Sequence, residues 1–428
     1  MSRLQVDSAP TAQRVALAAC WLAMFGVAVS AQEPKVLAGD VAQPLIASIT
    51  KQVVWSNRDG RGRTWFHPRA CMFPGEQGAP WALMTLQEIG GSDYFGPVQW
   101  SISKDLGKTW SDPAPIPALD RDPVPGRSDG LTAGVCDVTP QYHSPSGAIL
   151  ALGHVVFYKG DYFARNEQLA RYPVYATRDK AGVWSSRKIL AWDDPRGAHI
   201  YTNNCGQRVV LPDGDVQMSF TFGPGENHRM VAGVRAAFDG ERLRVKQVGP
   251  PLENRKGRGL LEPSVTRFGD KFWITMRAED NRGYVSASSD GLNWSEKRAW
   301  AWDDGEPLEM STTQQHWLTH SDGLFLVYTR KDDSNTNVIR WRAPLWVAQV
   351  DPARRCLLRS TERVVLPMSG DGVKDPKSVA LMGNFNVTHA SPDESWVTVG
   401  EWLRDGGNRG DVLLARIRWS RPNRLPLW

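Results

Sequence analysis

Glu262 stands in Leu261-Glu262-Pro263-Ser264-Val265, an otherwise apolar run. A carboxylate there is costly to bury unless it is paired, which marks it as a candidate functional group. Arg69, Arg277 and Arg342 each stand beside a strand-like run. If three guanidiniums converge on one point they form a carboxylate receptor, because the planar fork binds a carboxylate bidentately and keeps its charge at any relevant pH. Arg340 stands two residues before Arg342 and offers another guanidinium there. Asp93 follows Gly90-Gly91-Ser92, where it reads either as a turn residue or as a proton donor. His67 and His316 could activate water, and Tyr201 and Tyr94 offer phenols. Asp137, Glu309, Gln314 and Gln315 are further polar residues set beside strand-like runs.

The elements that must position these groups are strands. Short runs such as VQWSIS (98–103), KFWITMR (271–277), LFLVYTR (324–330) and SWVTVGEW (395–402) are bounded by Gly, Pro, Asp or Asn. Helical periodicity of ten residues or more is absent after residue 31. An all-β chain of 428 residues must dispose of its sheet edges, and a propeller does so by radial repetition.

A repeat supports that choice. Ser103-Lys104-Asp105-Leu106-Gly107-Lys108-Thr109-Trp110 has the form S-x-D-x-G-x-T-W. Ser288-Ser289-Asp290-Gly291-Leu292-Asn293-Trp294 is a shortened copy, and Thr177–Trp184 is a degenerate third. Asp can cap the turn through local backbone groups, Gly can take the positive-φ position, and Trp can pack back over the hairpin.

These repeats resemble the Asp-box turns of the sialidases, whose fold is a six-bladed β-propeller. The surrounding residues extend the resemblance from about Arg69 to Glu401. Phe66-His67-Pro68-Arg69 resembles the Arg-Ile-Pro motif of the first blade. Asp93 stands between that motif and the first repeat, where the family carries its acid/base aspartate. Glu262 and Arg277 stand before the second repeat as the family's glutamate and second arginine do, and Arg342-Ala343-Pro344-Leu345 resembles the stretch around the third arginine. The resemblance implies that Arg69, Arg277 and Arg342 hold a substrate carboxylate, that Asp93 protonates the leaving oxygen and that Glu262 acts as base toward the nucleophile. In the family that nucleophile is a tyrosine on the last blade. Here the corresponding stretch reads Met382-Gly383-Asn384-Phe385-Asn386-Val387, and no tyrosine follows Arg342. Asn384 or Phe385 occupies the place.

Composition narrows the partners. The formal net charge of +5 is mild, and no Lys/Arg block argues for nucleic acid. The 19 Trp exceed what a core needs, and point either to a structural repeat or to a sugar-binding surface. Residues 1–31 read as a signal peptide. Arg14 precedes an apolar run from Val15 to Val29, and Val29-Ser30-Ala31 fits cleavage before Gln32. The run is short for a membrane span. The expected mature protein, residues 32–428, is one secreted or periplasmic propeller domain without a membrane span. Cys71, Cys136, Cys205 and Cys356 match no zinc spacing, could form one or two disulfides, and leave no cofactor or metal site legible. Asn386-Val387-Thr388 fits the N-glycosylation pattern.

Three functional readings follow. The first is an exo-acting glycoside hydrolase that releases a terminal carboxylated sugar, sialic acid or a relative, from an acidic glycan. The second is a non-catalytic propeller that binds acidic glycans. The third is a hydrolase or lyase for uronic-acid glycans that uses a histidine as base.

Overall fold

Each blade forms because a short β-branched or aromatic run is followed by a tight turn and its antiparallel partner. The computed structural model of the chain describes residues 43–202 and 205–428. The expected signal peptide, its cleavage site, Asn203 and Asn204 lie outside the described residues. Those from Pro44 to Trp428 make one unit of six sheets, a six-bladed β-propeller.

Blade 1 runs from its inner strand Trp65–Pro74 through Pro80–Gly91 and Gln99–Ser103 to Ala114–Pro115. Blade 2 follows with Leu131–His143, Ala148–Lys159, Pro173–Arg178 and Lys188–Ile189. Blade 3 has His199–Thr202, Val216–Gly225, His228–Phe238 and Leu243–Val248. Blade 4 has Leu261–Phe268, Lys271–Arg277, Gly283–Ser288 and Arg298–Ala299. Blade 5 has His316–His320, Gly323–Tyr328 and Leu345–Asp351, edged by Cys356–Leu357 and Arg363–Leu366. Blade 6 joins both ends of the propeller. Phe385–Ser391, Glu394–Gly400 and Val412–Trp419 are completed by the early strand Ile46–Trp55, which pairs antiparallel with Val412–Trp419 (Thr50 opposite Arg416). No sheet is left with a long open edge at this seam. No helix among the described residues is long and apolar enough to cross a membrane.

The strand-like runs fall where expected, at Gln99–Ser103, Lys271–Arg277, Gly323–Tyr328 and Glu394–Gly400. The inner strands are buried almost throughout, because neighbouring blades cover both faces; Trp65–Pro74 is buried at every residue but the last. All three repeat turns join the third strand of a blade to its fourth, in blades 1, 2 and 4. In the first, Ser103 Oγ donates to Asp105 (2.9 Å) and accepts from Gly107 N–H (2.7 Å), while Thr109 donates to Asp105 through its backbone (2.9 Å) and hydroxyl (2.6 Å). Gly107 takes φ 73°. Asp290 repeats this pattern with Ser288, Leu292 and Asn293. In the third, Asp179 accepts from Val183 N–H (2.8 Å). The tryptophans are structural here. Trp110 packs between Trp55 and Trp396, and Trp300, Trp317 and Trp396 are among the largest fully buried side chains.

Cys71, Cys136, Cys205 and Cys356 are buried free thiols, so the disulfides allowed by their number do not form. Asn386 is 2% exposed on an inner strand, where the folded chain offers it to no glycan.

Candidate active site

A single distortion recurs at the mouth of the central channel. The inner strand of blade 1 is bulged between Phe66 and Arg69, that of blade 2 between Cys136 and Thr139, and that of blade 4 between Leu261 and Ser264. Each bulge holds a non-glycine residue at positive φ: His67 (52°), Asp137 (57°) and Glu262 (46°). Such backbone costs energy and persists where surrounding structure over-determines it, often at functional sites. All three residues line one cavity of about 520 Å³. The repeat turns lie at the other face, since Gly283–Ser288 starts opposite Arg277 and ends at its turn.

Seven arginines line this cavity against five carboxylates. Arg277 Nη1 meets Glu262 Oε1 at 2.7 Å and its Nε donates to Thr312 (3.0 Å). Arg258 Nε donates to Glu279 (2.8 Å), Arg229 pairs with Glu226 (3.3 Å), and Arg165 pairs with Asp93 (3.3 Å). The cavity carboxylate Asp137 is held at 2.7 Å by Arg69, which lies behind it. Arg171, Arg340 and Arg342 have no carboxylate within 4 Å among the described residues. Burial lowers the Arg342 guanidinium to about 10, and Arg277 and Arg340 push it the same way. Arg340 is lowered chiefly by burial and then by Arg277. A cationic group already crowded by like charge is completed by an anion.

Local sequence explains how Arg342 gets there. The turn Ile339–Trp341 and the following residue re-aim the chain after blade 5's second strand, with Arg340 and Trp341 at φ 53° and 46°. Gly383 accommodates the arginine stem, for a Cβ there would stand 2.7 Å from Arg342 Cδ and 2.8 Å from Thr313 Oγ1.

The structure brings together Asp93, Glu262, Arg277, Arg342, His67, Tyr201 and Asn384, all lining the cavity. Asp93 sits at φ 58° with 58% of its side chain exposed, at the rim. Asn384 accepts from Gln314 Nε2 (3.2 Å). Tyr201 lies under the Arg229 guanidinium (4.2 Å), its hydroxyl buried without a hydrogen-bond partner among the described residues and its pKa raised by that burial. Arg69 and His316 are not among the lining residues. Burial would lower Arg69, and Asp137 more than offsets this; the same pairing outweighs burial and holds Asp137 below the usual carboxylate range. His316 is fully buried between Ser264 (3.3 Å) and Gln314 (3.2 Å), edge-on to Phe385, and burial lowers it to about 3. Its contacts are those of a packed inner-strand residue. Of the Arg69–Arg277–Arg342 set, two members open on the cavity, and Arg340 stands beside them.

Sequence reasoning missed Arg165, Arg171, Glu226, Arg229, Arg258, Glu279 and His154. His154 carried the same signal as Glu262, a polar residue inside the apolar run ALGHVVFY. The structure pairs it with Cys136 across blade 2, and burial lowers it to about 4. His67, Cys136 and Asp137 place donor atoms within 4.8 Å of one another. A cation there would meet Arg69, which already neutralises the carboxylate, and a Cys136 thiol that burial raises well above its usual range, so the set does not suit a metal.

No family model matches the chain, and no curated protein matches it. Solved structures do. A protein of unknown function from Dyadobacter fermentans shares 13% identity at TM-score 0.60, over 87% of this chain and all of that one. Trypanosoma rangeli sialidase shares 14% at TM-score 0.58, over 87% of this chain and 60% of that one. A Hadza microbial sialidase shares 13% at TM-score 0.59, over 86% and 68%. At these identities the likeness defines the fold, a sialidase-like propeller.

Proposed function

We propose that the cavity binds the terminal carboxylated sugar of an acidic glycan and hydrolyses its glycosidic bond. The observation that carries this reading is the trio Arg277, Arg340 and Arg342, of which the last two have no carboxylate partner among the described residues. The sugar carboxylate would complete that charge, leaving the anomeric carbon between Glu262 and the rim. Asp93 would give its proton to the glycosidic oxygen as the bond from that oxygen to the anomeric carbon breaks. The Arg165 contact must open before Asp93 can carry that proton. Water would attack the same carbon from the other side and pass its proton to Glu262, a single displacement with inversion. The arginines would hold the sugar while its ring takes on oxocarbenium character. Export, expected from residues 1–31, would place the protein where such glycans occur.

The test is turnover of a panel of chromogenic sialosides. Asp93→Asn and Arg342→Gln should each cost at least about 100-fold in kcat/KM with folding intact, the size of losing one acid or one charged anchor. Activity that survives both changes would refute the assignment. A second reading is favoured by Asn384, which faces the cavity where the resemblance places a tyrosine nucleophile. In that case the propeller binds acidic glycans without cleaving them, and a glycan array would retain the protein with no free sugar released.

A further inference from the structure

The cavity has a second cationic side, remote in sequence from the first. Arg171 comes from the segment ahead of blade 2's third strand and Arg229 from the start of blade 3's third strand. Both line the cavity. They gather around one residue: Arg171 Nη1 donates to the Tyr201 carbonyl (3.5 Å), and Arg229 covers the Tyr201 ring at 4.2 Å. Arg171 also faces the Phe163 ring at 5.5 Å. Burial lowers Arg229 to about 9, with Arg258 and Arg171 adding like-charge repulsion, whereas Arg342 is crowded by Arg277 and Arg340. Arg171 and Arg229 thus form a second group around Tyr201, with Arg258 repelling a member of each group, Arg229 and Arg340.

Their carboxylates do not balance the second group. Glu226, the partner of Arg229, has 68% of its side chain exposed and meets it at 3.3 Å, while Arg171 has none within 4 Å among the described residues. Blade 2 supplies the wall. Its second strand pairs with Tyr162–Phe163, and this strand and the segment after it supply Phe163, Arg165 and Arg171 to the cavity lining. A volume near 520 Å³ suits a ligand of disaccharide size.

We infer that the cavity selects a saccharide bearing two anionic groups, the first held by Arg277, Arg340 and Arg342 and the second by Arg171 and Arg229 above Tyr201. This inference rests on the proposed function, because the first anion is the sugar carboxylate assigned there. The second anion is a carboxylate on the adjoining sugar or a sulfate ester on the same one; both present oxygens that a guanidinium fork accepts.

Calorimetric titration tests it with three probes: a monosialyl sugar, a disialyl disaccharide and a sulfated monosialyl sugar. At least one dianionic probe should bind about tenfold more tightly than the monoanion, as one added charge-assisted contact implies. Whichever does so identifies the second anion. In Arg171→Gln, and separately in Arg229→Gln, that ratio should fall to near one. Matched unfolding midpoints exclude a folding defect, and Arg171→Met serves if the glutamine variant folds poorly. Equal affinity for all three probes in the unaltered protein would overturn the second subsite while leaving the first. A ratio that persists in both variants would do the same. Failure of every probe to bind would overturn the proposed function with it.

Discussion

Lowering the pH from 7 to 5 should destabilise the protein through its buried histidines. His67, His154 and His316 are at most 4% exposed, and burial lowers them to about 3, 4 and 3. In the unfolded chain each titrates near 6.5. The unfolded state therefore binds protons that the folded state refuses, and stability falls as pH drops below 6.5. At pH 5 each histidine should cost about 2 kcal/mol relative to pH 7, and the three together roughly 6 kcal/mol, a large share of a typical domain's stability. Burial also lowers His320 and His389, adding in the same direction, while the raised carboxyl of Glu401 works against it. The carboxylates lowered by their partners, such as Glu279 at about 2, begin to lose their contribution as pH falls through the unfolded carboxylate value near 4.5, so they add little above pH 5. Urea titrations at half-unit pH steps measure the slope, and His316→Gln should reduce it by close to one proton between pH 6 and 5. A stability that stays flat from pH 7 to 5 would refute the reasoning, as would a slope unchanged in that variant.

Two further changes separate scaffold from site. Gly383→Ala should displace the Arg342 stem, since the added methyl would stand 2.7 Å from its Cδ; affinity for a carboxylated sugar should fall at least about tenfold while the unfolding free energy drops by 1–3 kcal/mol, roughly the cost of overpacking. Calorimetry and urea titration on the same preparation check both. Asp105→Ala removes the carboxylate that accepts from Ser103 and Thr109 on the far face. It should cost about 1–2 kcal/mol in urea titration, in the manner of a lost cap, and leave sugar binding unchanged.

The blades were legible because their information is local. Alternating runs and the S-x-D-x-G-x-T-W turn each specify a hairpin without reference to the rest of the chain, and Lys271–Arg277 has the bounds its sequence pattern implies. Glu262 and Arg277 were legible for a related reason, since they face each other across one hairpin. Arg69 was not. The bulge at His67-Pro68 inserts a residue into the inner strand, and such a shift changes which side chain faces the channel. The blade 1 counterpart of Glu262 is consequently His67, while Arg69 lies behind Asp137. Arg171 and Arg229 gave no local signal, since their meeting at Tyr201 depends on how blades 2 and 3 are placed around the ring. The tryptophan surplus pointed two ways, and among the described residues no tryptophan lines the cavity.

The proposed function depends on Arg277, Arg340 and Arg342 gripping a sugar carboxylate. The most direct measurement compares binding of a carboxylated sugar with that of its uncharged methyl ester, by calorimetry at low and raised salt. The acid should bind at least about tenfold more tightly than the ester, this margin should narrow as salt is raised, and Arg342→Gln should abolish it. Equal binding of acid and ester by the unaltered protein would contradict the proposed function.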